Sequence, residues 1–250
     1  MTTPTVWSTQ ERIAAYLRDG LLTGEYPPGS KLPSGRALHQ QFGAAPQTIR
    51  NAITTLEHEG LVYTQHGRGV MARPQRMRTM RPARYKTPAP RGEAYSWLTA
   101  AESDGLRSRI ELRSVSRVEP PALVRRGLEL DDDVDKVVRR VQVLYLDEEP
   151  CELVESYLPV SIAAGTPLAE KRKIRGGTPR LLEDLGYPTV RCVDRVSARW
   201  PTPEQAEALR SATREPVLRT ERVTYSADDL PVQVDVMAQA GLRHELEYEI

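Results

Sequence analysis

The hydrophobic residues of the first 60 positions recur at helical spacing and predict three short helices. In the first helix they fall every three or four residues and therefore share one face: Ile13, Tyr16, Leu17 and Leu21. The segment STQE, which begins at Ser8, matches a capping box and is expected to start this helix. Gly24 is expected to end it.

Two further helices and a hairpin follow in the pattern. Ser34 is expected to cap a second helix that stops at Gly43. Pro46 suits the first turn of a third helix. The apolar stripe of this third helix comprises Ile49, Ala52, Ile53 and Leu56. The next segment, LVYTQHGRGVMAR, predicts a β-hairpin. Three helices followed by a two-stranded wing predict a winged helix-turn-helix domain over residues 1–75.

From residue 93 onward, apolar and polar residues alternate in short runs that are typical of strands. Six such runs occur at 109–118, 136–146, 150–158, 189–198, 217–225 and 231–238. Helical stripes occur at 121–128, 180–185 and, after a Thr202 cap, 203–209. Several strands with interspersed helices indicate an α+β domain over residues 93–250, built around one antiparallel sheet.

The composition excludes several classes of protein. The chain has 250 residues, of which 39% are hydrophobic and 28% charged, and no run approaches the ~20 consecutive apolar residues of a membrane-spanning helix. The start, MTTPTVWSTQER, lacks the basic and apolar regions of a secretory signal, so we expect a cytoplasmic protein without a membrane partner. Two cysteines and four histidines in no close cluster predict neither a disulfide framework nor a metal site, and we expect no cofactor.

The charge of the chain is divided between its two parts. Residues 1–91 carry 13 basic and 5 acidic side chains, a net charge of +8, whereas residues 92–250 carry a net charge of −7. This asymmetry favours a polyanionic partner for the first part, with nucleic acid as the first candidate. Residues 73–91 contain seven basic residues, four prolines and no acidic residue. They predict an extended basic linker at 76–92, whose arginines either follow DNA phosphates or belong to a solvated spacer.

Four short blocks of the first domain occur in a distinctive order: Leu-Pro-Ser-Gly-Arg, Thr-Ile-Arg-Asn-Ala, Glu-Gly-Leu and a Gly-Arg-Gly wing. Together they resemble the reader domain of the GntR superfamily of bacterial repressors. The resemblance implies that seven residues contact DNA from the second helix, the recognition helix and the wing: Arg36, Gln47, Thr48, Arg50, His66, Gly67 and Arg68. Ala45 and Pro46 stand where many members carry Ser-Arg, which removes one frequent contact. Arg50 could bind a guanine edge or a phosphate, and the sequence leaves both open.

A second set of blocks extends from about residue 106 to 249: VVRRVQVLYLDEEPCELVESYLP, RGGTPRLLEDLGY, DRVSARWPTPEQAEAL and PVQVDV. Their order resembles that of the UTRA domain, the ligand-sensing half of the HutC branch of the same superfamily, whose fold is chorismate-lyase-like. The resemblance implies an effector cleft beside the sheet, with six candidate residues: Ser108, Arg140, Gln142, Glu152, Tyr157 and Gln233. The same side chains could instead line a solvated sheet face or form ion pairs.

The type of effector is only partly constrained by this resemblance. Members bind small, often anionic metabolites through an Arg-x-Arg strand and a facing carboxylate. In this chain Gln142 stands at the usual position of the second arginine, and Val154 stands at the usual position of the carboxylate. The loss of one arginine favours an effector that is less anionic than a sugar phosphate.

These features predict a homodimeric transcription regulator, a repressor that binds a two-fold symmetric operator in double-stranded DNA and responds to a small-molecule effector. The alternative is a ligand-independent DNA-binding regulator whose UTRA-like domain serves only dimerisation. An enzyme is not expected, because the sequence has no GxSxG, no HExxH, no phosphate-binding glycine loop and no acid/base pair at defined spacing. We therefore assign no catalytic residue.

Overall fold

The computed structural model describes residues 7–74, 78–85, 87–211 and 215–249. The chain divides into two compact units, Met1–Arg78 and Thr79–Ile250. Each unit has its own hydrophobic core, and we describe each by itself.

Three helices make up most of the first unit: α1 (Thr9–Leu22), α2 (Gly35–Phe42) and α3 (Pro46–His58). The two serines predicted as caps occupy those positions. Ser8 forms a reciprocal capping box with Glu11, and the Ser34 hydroxyl accepts the amide of Ala37 at 3.2 Å. These hydrogen bonds satisfy amides that the first turn of a helix leaves without partners.

The apolar stripes of the three helices meet in one buried core: Ile13, Leu17, Leu38, Ile49, Ala52 and Leu56. Arg18 on α1 contacts the C-terminal end of α3: its guanidinium donates to both carboxylate oxygens of Glu59 at 2.8 and 2.6 Å. α3 is therefore held by its buried face and by its C-terminal end, and its polar face is left free.

A hairpin follows α3 and forms the wing: β1 (Val62–Gln65) and β2 (Gly69–Ala72), paired antiparallel. Gly67 and Gly69 at its turn have φ angles of 75° and 102°, a left-handed region that side chains with a Cβ rarely adopt. Lys31 forms a β-bridge with Met71, so the segment before α2 lies alongside β2.

The remaining strands are β3 (Arg78–Met80), β4 (Ser108–Val118), β5 (Val137–Leu146), β6 (Glu149–Pro159), β7 (Arg191–Arg199), β8 (Val217–Tyr225), β9 (Pro231–Ala240) and β10 (His244–Leu246). The six long strands form one antiparallel sheet in the order β4-β5-β6-β9-β8-β7. Each of the six runs predicted from the sequence corresponds to one of these strands. β3 and β10 pair in a small separate sheet that was not predicted.

The two faces of the large sheet are covered by different helices: α4 (Ser96–Ser103), α5 (Ala122–Gly127), α6 (Val160–Ala163), α7 (Gly177–Asp184) and α8 (Pro203–Leu209). α5 and α8 fill one face with apolar side chains, among them Val124 against Val234 and Leu209 against Val143. α4, α6 and α7 cover the opposite face. Among the described residues, no helix combines the length and hydropathy that crossing a membrane requires.

The segment predicted as a linker, 76–92, differs from a solvated spacer. From Thr79 onward it belongs to the second unit, and its apolar residues Met80 and Ala89 are both only 2% exposed. Arg81 contributes an ion pair with Glu247 at 3.1 Å. The sequence does not predict this packing, because the apolar residues that lie between the basic ones follow neither a helical nor a strand period. Residues 76, 77 and 86 lie outside the described ranges.

Candidate functional site

The exposed start of α3 carries a connected set of polar side chains. The Arg50 guanidinium donates to Gln47 Oε1 at 2.9 and 3.2 Å, and Gln47 Nε2 donates to Asn51 Oδ1 at 2.8 Å. Gln47, Arg50 and Asn51 are exposed, while Thr48 between them is half-buried. The network holds a guanidinium and two amides in defined directions on the surface, which is the type of donor and acceptor set that reads base edges.

The wing tip presents the other predicted DNA-binding residues to solvent. His66, Gly67 and Arg68 are all exposed, and the Arg68 amide closes the turn by donating to the Gln65 carbonyl at 3.0 Å. Arg36 is also exposed, as the second residue of α2. All seven predicted residues therefore lie in the first unit, on α2, on α3 and at the tip of the wing.

One further cation belongs to this surface and was not predicted. The Lys31 side chain passes close to Gly69, the first residue of β2. A Cβ added at Gly69 would lie 3.1 Å from Lys31 Cε. Lys31 is exposed beside the wing. Its sequence signal is weak, since a single lysine in the turn-rich segment YPPGSKLPS predicts neither a strand nor a contact.

The second unit contains a cavity of about 620 Å³ on the sheet face opposite α5 and α8. The strands form its floor, and α4, α7 and residues 173–179 form its cover. Gly177 is required in this cover, because its φ is 79° and a Cβ there would lie 2.4 Å from the Tyr95 ring. This volume falls in the range of ~300–1,000 Å³ typical of small-molecule pockets.

Four of the six predicted effector residues line this cavity: Ser108, Gln142, Glu152 and Gln233. They come from four strands, β4, β5, β6 and β9, that are neighbours in the sheet. Their side chains share one face because paired residues of neighbouring strands point to the same side of the sheet, as do residues two apart along a strand.

The prediction for Arg140 is contradicted by its position. Its guanidinium is fully buried and donates to the carbonyls of Pro167, Leu168, Glu170 and Arg172 at 2.7–3.2 Å. Burial lowers the pKa of Arg140. Nη1 and Nη2 are used by the backbone that leads into the cover segment 173–179, whereas Nε has no partner among the described residues; Arg140 therefore positions that segment and does not line the cavity.

The prediction for Tyr157 is also contradicted. Its ring packs on the filled face of the sheet with Val223 and Val234, and its hydroxyl donates to Glu155 at 2.8 Å. Burial raises the pKa of Tyr157. Tyr157 directly follows Ser156, which lines the cavity. Because successive side chains of a strand point to opposite faces of the sheet, Tyr157 points away from the cavity.

Charged residues that were not predicted lie on the cavity floor. The cross-strand register brings Asp194, Arg222 and Asp235 side by side on β7, β8 and β9. The Arg222 guanidinium donates to both oxygens of Asp194 at 2.7 Å. Arg222 is therefore neutralised by Asp194 and is not a free cation for an anionic ligand.

The Asp235 carboxylate faces the cavity with neutral partners. Ser156 Oγ donates to its Oδ1 at 2.5 Å, and Gln233 Nε2 donates to both of its oxygens at 2.7 and 2.8 Å. Asp235 is buried, and burial raises the pKa of its carboxyl. The sequence signal for Asp235 is the alternation along β9, which puts it on the same face as Gln233, whereas the place of Arg222 depends on the register between β8 and β9.

Glu152 is the second buried carboxyl of the cavity. It lies opposite Gln239 in the sheet, and Gln239 Nε2 donates to Glu152 Oε1 at 2.7 Å. Burial raises the pKa of Glu152 to about 7, and the nearby Arg222 charge offsets part of the rise. Gln239 Oε1 is buried and receives no hydrogen bond from any described residue.

Metal binding finds no support in the described ranges, where no group of three or more His, Cys, Asp or Glu side chains could hold an ion. Cys151 is buried and its thiol donates to the Leu144 carbonyl at 3.3 Å. Cys192 lines the cavity beside Thr224.

A winged helix with an exposed polar recognition face, together with a domain that encloses a small-molecule cavity, defines a ligand-binding transcriptional regulator. Sequence comparison assigns the family: the chain belongs to the bacterial regulatory proteins of the gntR family, matched over residues 9–71, and carries a UTRA domain, matched over residues 103–245. These families are transcriptional regulators and not enzymes.

Individual relatives agree with this assignment. An uncharacterized HTH-type transcriptional regulator of Streptomyces coelicolor is 29% identical over 96% of this chain and 90% of its own length. The HTH-type transcriptional repressor NagR of Bacillus subtilis is 25% identical over 86% of this chain and 83% of its own. The crystal structure of PhnF from Mycobacterium smegmatis has the same fold, with a TM-score of 0.58 at 23% identity over 95% of this chain and 98% of that one.

Proposed function

We propose that this regulator is a homodimeric repressor that acts in the cytoplasm, where it binds a two-fold symmetric operator and releases it when a small molecule fills the UTRA cavity. The observation that carries the proposal is the Gln47–Arg50–Asn51 network on the free face of α3. In a winged helix this face enters the major groove, and its oriented donors and acceptors would read base edges there.

The other exposed residues of the first unit would supply contacts of a different kind. Arg36, Arg68 and Lys31 carry exposed positive charges from α2 and the wing. Such charges suit phosphate contacts, which fix orientation without reading sequence. Each phosphate contact adds ~0.9 to the salt-dependence slope of binding to duplex DNA.

A dimer is supported by the edge of the large sheet. β7 is an outer strand, and the apolar side chains of Val190, Val196 and Trp200 on and beside it are exposed. An exposed apolar edge strand is a surface that a second copy can cover in a symmetric contact. Two readers in one dimer would match two half-sites spaced by about one helical turn, ~34 Å.

Control by an effector requires only that the ligand has a higher affinity for the conformation that does not bind the operator than for the conformation that does. A preference of ~1–3 kcal/mol lowers operator affinity by ~5–150-fold. The cavity of about 620 Å³ with its polar floor supports this form of control over the alternative in which the UTRA domain serves only dimerisation.

Arg50→Ala on the full chain tests the proposal. Operator sites are first obtained for the wild-type protein by selection from random duplexes, and footprints and dissociation constants on the selected duplex are then compared. We expect Arg50→Ala to lose preference for the selected sequence by about ten- to hundredfold while remaining dimeric. Arg117→Ala removes an equal charge from an exposed position in the second unit and is the matched control. An unchanged footprint and affinity in Arg50→Ala would remove the recognition-helix assignment.

A further inference from the structure

The floor of the UTRA cavity consists of three rows of side chains that run across the strands. The two outer rows contain buried charges. Glu152 lies in one of them, opposite Gln239, and Asp235 lies in the other, between Ser156 and Arg222. Each outer row is two residues, or ~7 Å, from the middle row along the strands. The middle row contains no charged side chain and comprises Leu112, Gln142, Val154, Met237 and Thr220.

The charged groups of the outer rows already have partners within the protein. The Arg222 guanidinium is bound to both oxygens of Asp194. Asp235 and Glu152 each accept hydrogen bonds from neutral side chains of the same floor. A ligand that binds any of these groups has to displace a partner, and the hydrogen bond that is lost offsets the one that is gained.

Three further cations line the cavity, and none of them is a buried free charge. The Arg109 guanidinium lies 3.8 Å from the centre of the Tyr145 ring and forms an ion pair with Glu111 at 3.4 Å. Lys173 and Arg175 belong to the cover and are exposed. Water screens exposed charges, so an ion pair between either of them and a ligand contributes little.

Gln142 is a polar side chain of the middle row that remains available to a ligand. It is half-buried and lines the cavity, and its side-chain amide forms no hydrogen bond with any residue that the structure describes. Leu112 and Val154 flank it on the two neighbouring strands. An amide presents donors and an acceptor without a charge. Gln142 is therefore suited to a neutral polar group that has both an acceptor and a donor.

The other walls of the cavity are largely apolar and aromatic. Tyr85, Tyr95 and Trp97 line it, together with Leu98 and Ile174. Burial of apolar ligand surface against such walls is favourable in proportion to the area removed from water. The walls therefore fit a ligand whose body is apolar.

We propose that the effector of this protein is an uncharged molecule with an apolar body, and that Gln142 selects it by hydrogen bonding to a carboxamide or a similar neutral group. This inference rests on the proposed role of the cavity as the effector site. A carboxylate or an ammonium group beside Gln142 loses its hydration and gains only a neutral partner, and burial of a charge is more costly than burial of an amide. A carboxamide in the same place both donates to Gln142 and accepts from it.

Matched small molecules on the full chain test the head group that the cavity selects. The probes are phenylpropanamide, phenylpropanoate, phenylpropylamine and propylbenzene, which share one apolar body and differ in the head group. Binding is measured by calorimetry and by the shift in melting temperature, both without DNA. We expect phenylpropanamide to bind and to raise the melting temperature, and the anionic and cationic probes to bind at least about tenfold more weakly.

Variants assign the selection to Gln142. Gln142→Met keeps an unbranched side chain of similar length and removes both hydrogen-bonding groups. We expect it to lower the affinity for phenylpropanamide by about tenfold and to leave the affinity for propylbenzene unchanged, a difference that general damage to the cavity would not produce. Gln142→Leu should have the same effect and serves as the second variant. Gln40→Met, at an exposed position of α2, is the matched control and should change neither affinity. Circular dichroism checks that each variant is folded.

Three outcomes would overturn the inference: no binding of phenylpropanamide, binding of either charged probe at least as tight as that of phenylpropanamide, or an unchanged ratio of phenylpropanamide to propylbenzene affinity in both Gln142 variants. Because these measurements contain no DNA, they are independent of operator binding. Selective binding of phenylpropanamide by a protein that selects no duplex sequence would refute the proposed repressor function and leave the preference of the cavity standing.

Discussion

Glu152→Gln should stabilise the protein at alkaline pH and have little effect in acid. Burial raises the pKa of Glu152 to about 7 from an ordinary value of 4.5. The folded state therefore holds this proton more tightly than the unfolded state, and ionisation costs stability as the pH rises from 4.5 to about 7. The pKa difference of about 2.5 between the folded and unfolded states, at about 1.4 kcal/mol per tenfold change in the ionisation constant, corresponds to about 3–4 kcal/mol. Glutamine cannot ionise, so the variant escapes this loss.

The charged groups around Glu152 determine how much stability its ionisation costs. Arg222 stabilises the ionised form, whereas Asp235 and Asp194 oppose it. The Tyr85, Tyr95 and Tyr248 hydroxyls also lie within electrostatic range. The comparison between wild type and variant isolates the Glu152 charge because the other groups are present in both proteins.

Urea unfolding at about pH 5 and about pH 8 measures the effect; it is followed by tryptophan fluorescence, which changes as the buried Trp97 becomes exposed while Trp7 and Trp200 are exposed from the start. We expect the free energy of unfolding of Glu152→Gln to exceed that of wild type by about 3 kcal/mol at the higher pH and by less than about 1 kcal/mol at the lower. Glu207→Gln, an exposed control, should change neither value by more than about 0.5 kcal/mol. A variant that is no more stable than wild type at pH 8 would refute the argument that Glu152 is a buried, poorly compensated carboxyl.

Three further changes test other parts of the structure. Arg140→Met should leave four backbone carbonyls without their donor, cost more than about 3 kcal/mol, and abolish hydrogen-exchange protection in residues 166–175; retained protection there would contradict the positioning role. Gly177→Ala should be destabilising by at least about 1–3 kcal/mol in thermal unfolding, because its φ is 79° and Tyr95 occupies the space of the new methyl group; a neutral result would show that the cover yields. Leu56→Ala should cost about 2–5 kcal/mol in the first unit, and a loss below about 1 kcal/mol would place Leu56 outside a packed core.

Local signals in the sequence were sufficient for most of the fold. Ser8, Ser34 and Pro46 mark helix starts through hydrogen bonds or a fixed φ within a few residues, and the helices begin directly after Ser8, directly after Ser34 and at Pro46. α4 was not predicted, because its two buried residues, Trp97 and Ala101, are too few to define a period.

The cavity was only partly predictable, because its composition depends on pairings between distant strands. Alternation correctly groups Gln142 and Glu152 on one face but gives no information on where the cavity ends along a strand. Arg140 shares the face of Gln142, and only the fold of residues 167–172 shows that its guanidinium is occupied. The pair between Arg222 and Asp194 likewise depends on the register between β7 and β8, which the sequence does not specify.

If the first unit recognises a particular DNA sequence, its affinity for that sequence must exceed its affinity for other DNA, and the ratio of the two affinities can be measured. Selection from a random duplex pool, followed by fluorescence anisotropy of the selected duplex against bulk competitor DNA at about 150 mM salt, gives this ratio. We expect a two-fold symmetric sequence that is bound at least about 10³-fold more tightly than competitor DNA. Equal affinity for the selected duplex and the competitor would contradict it.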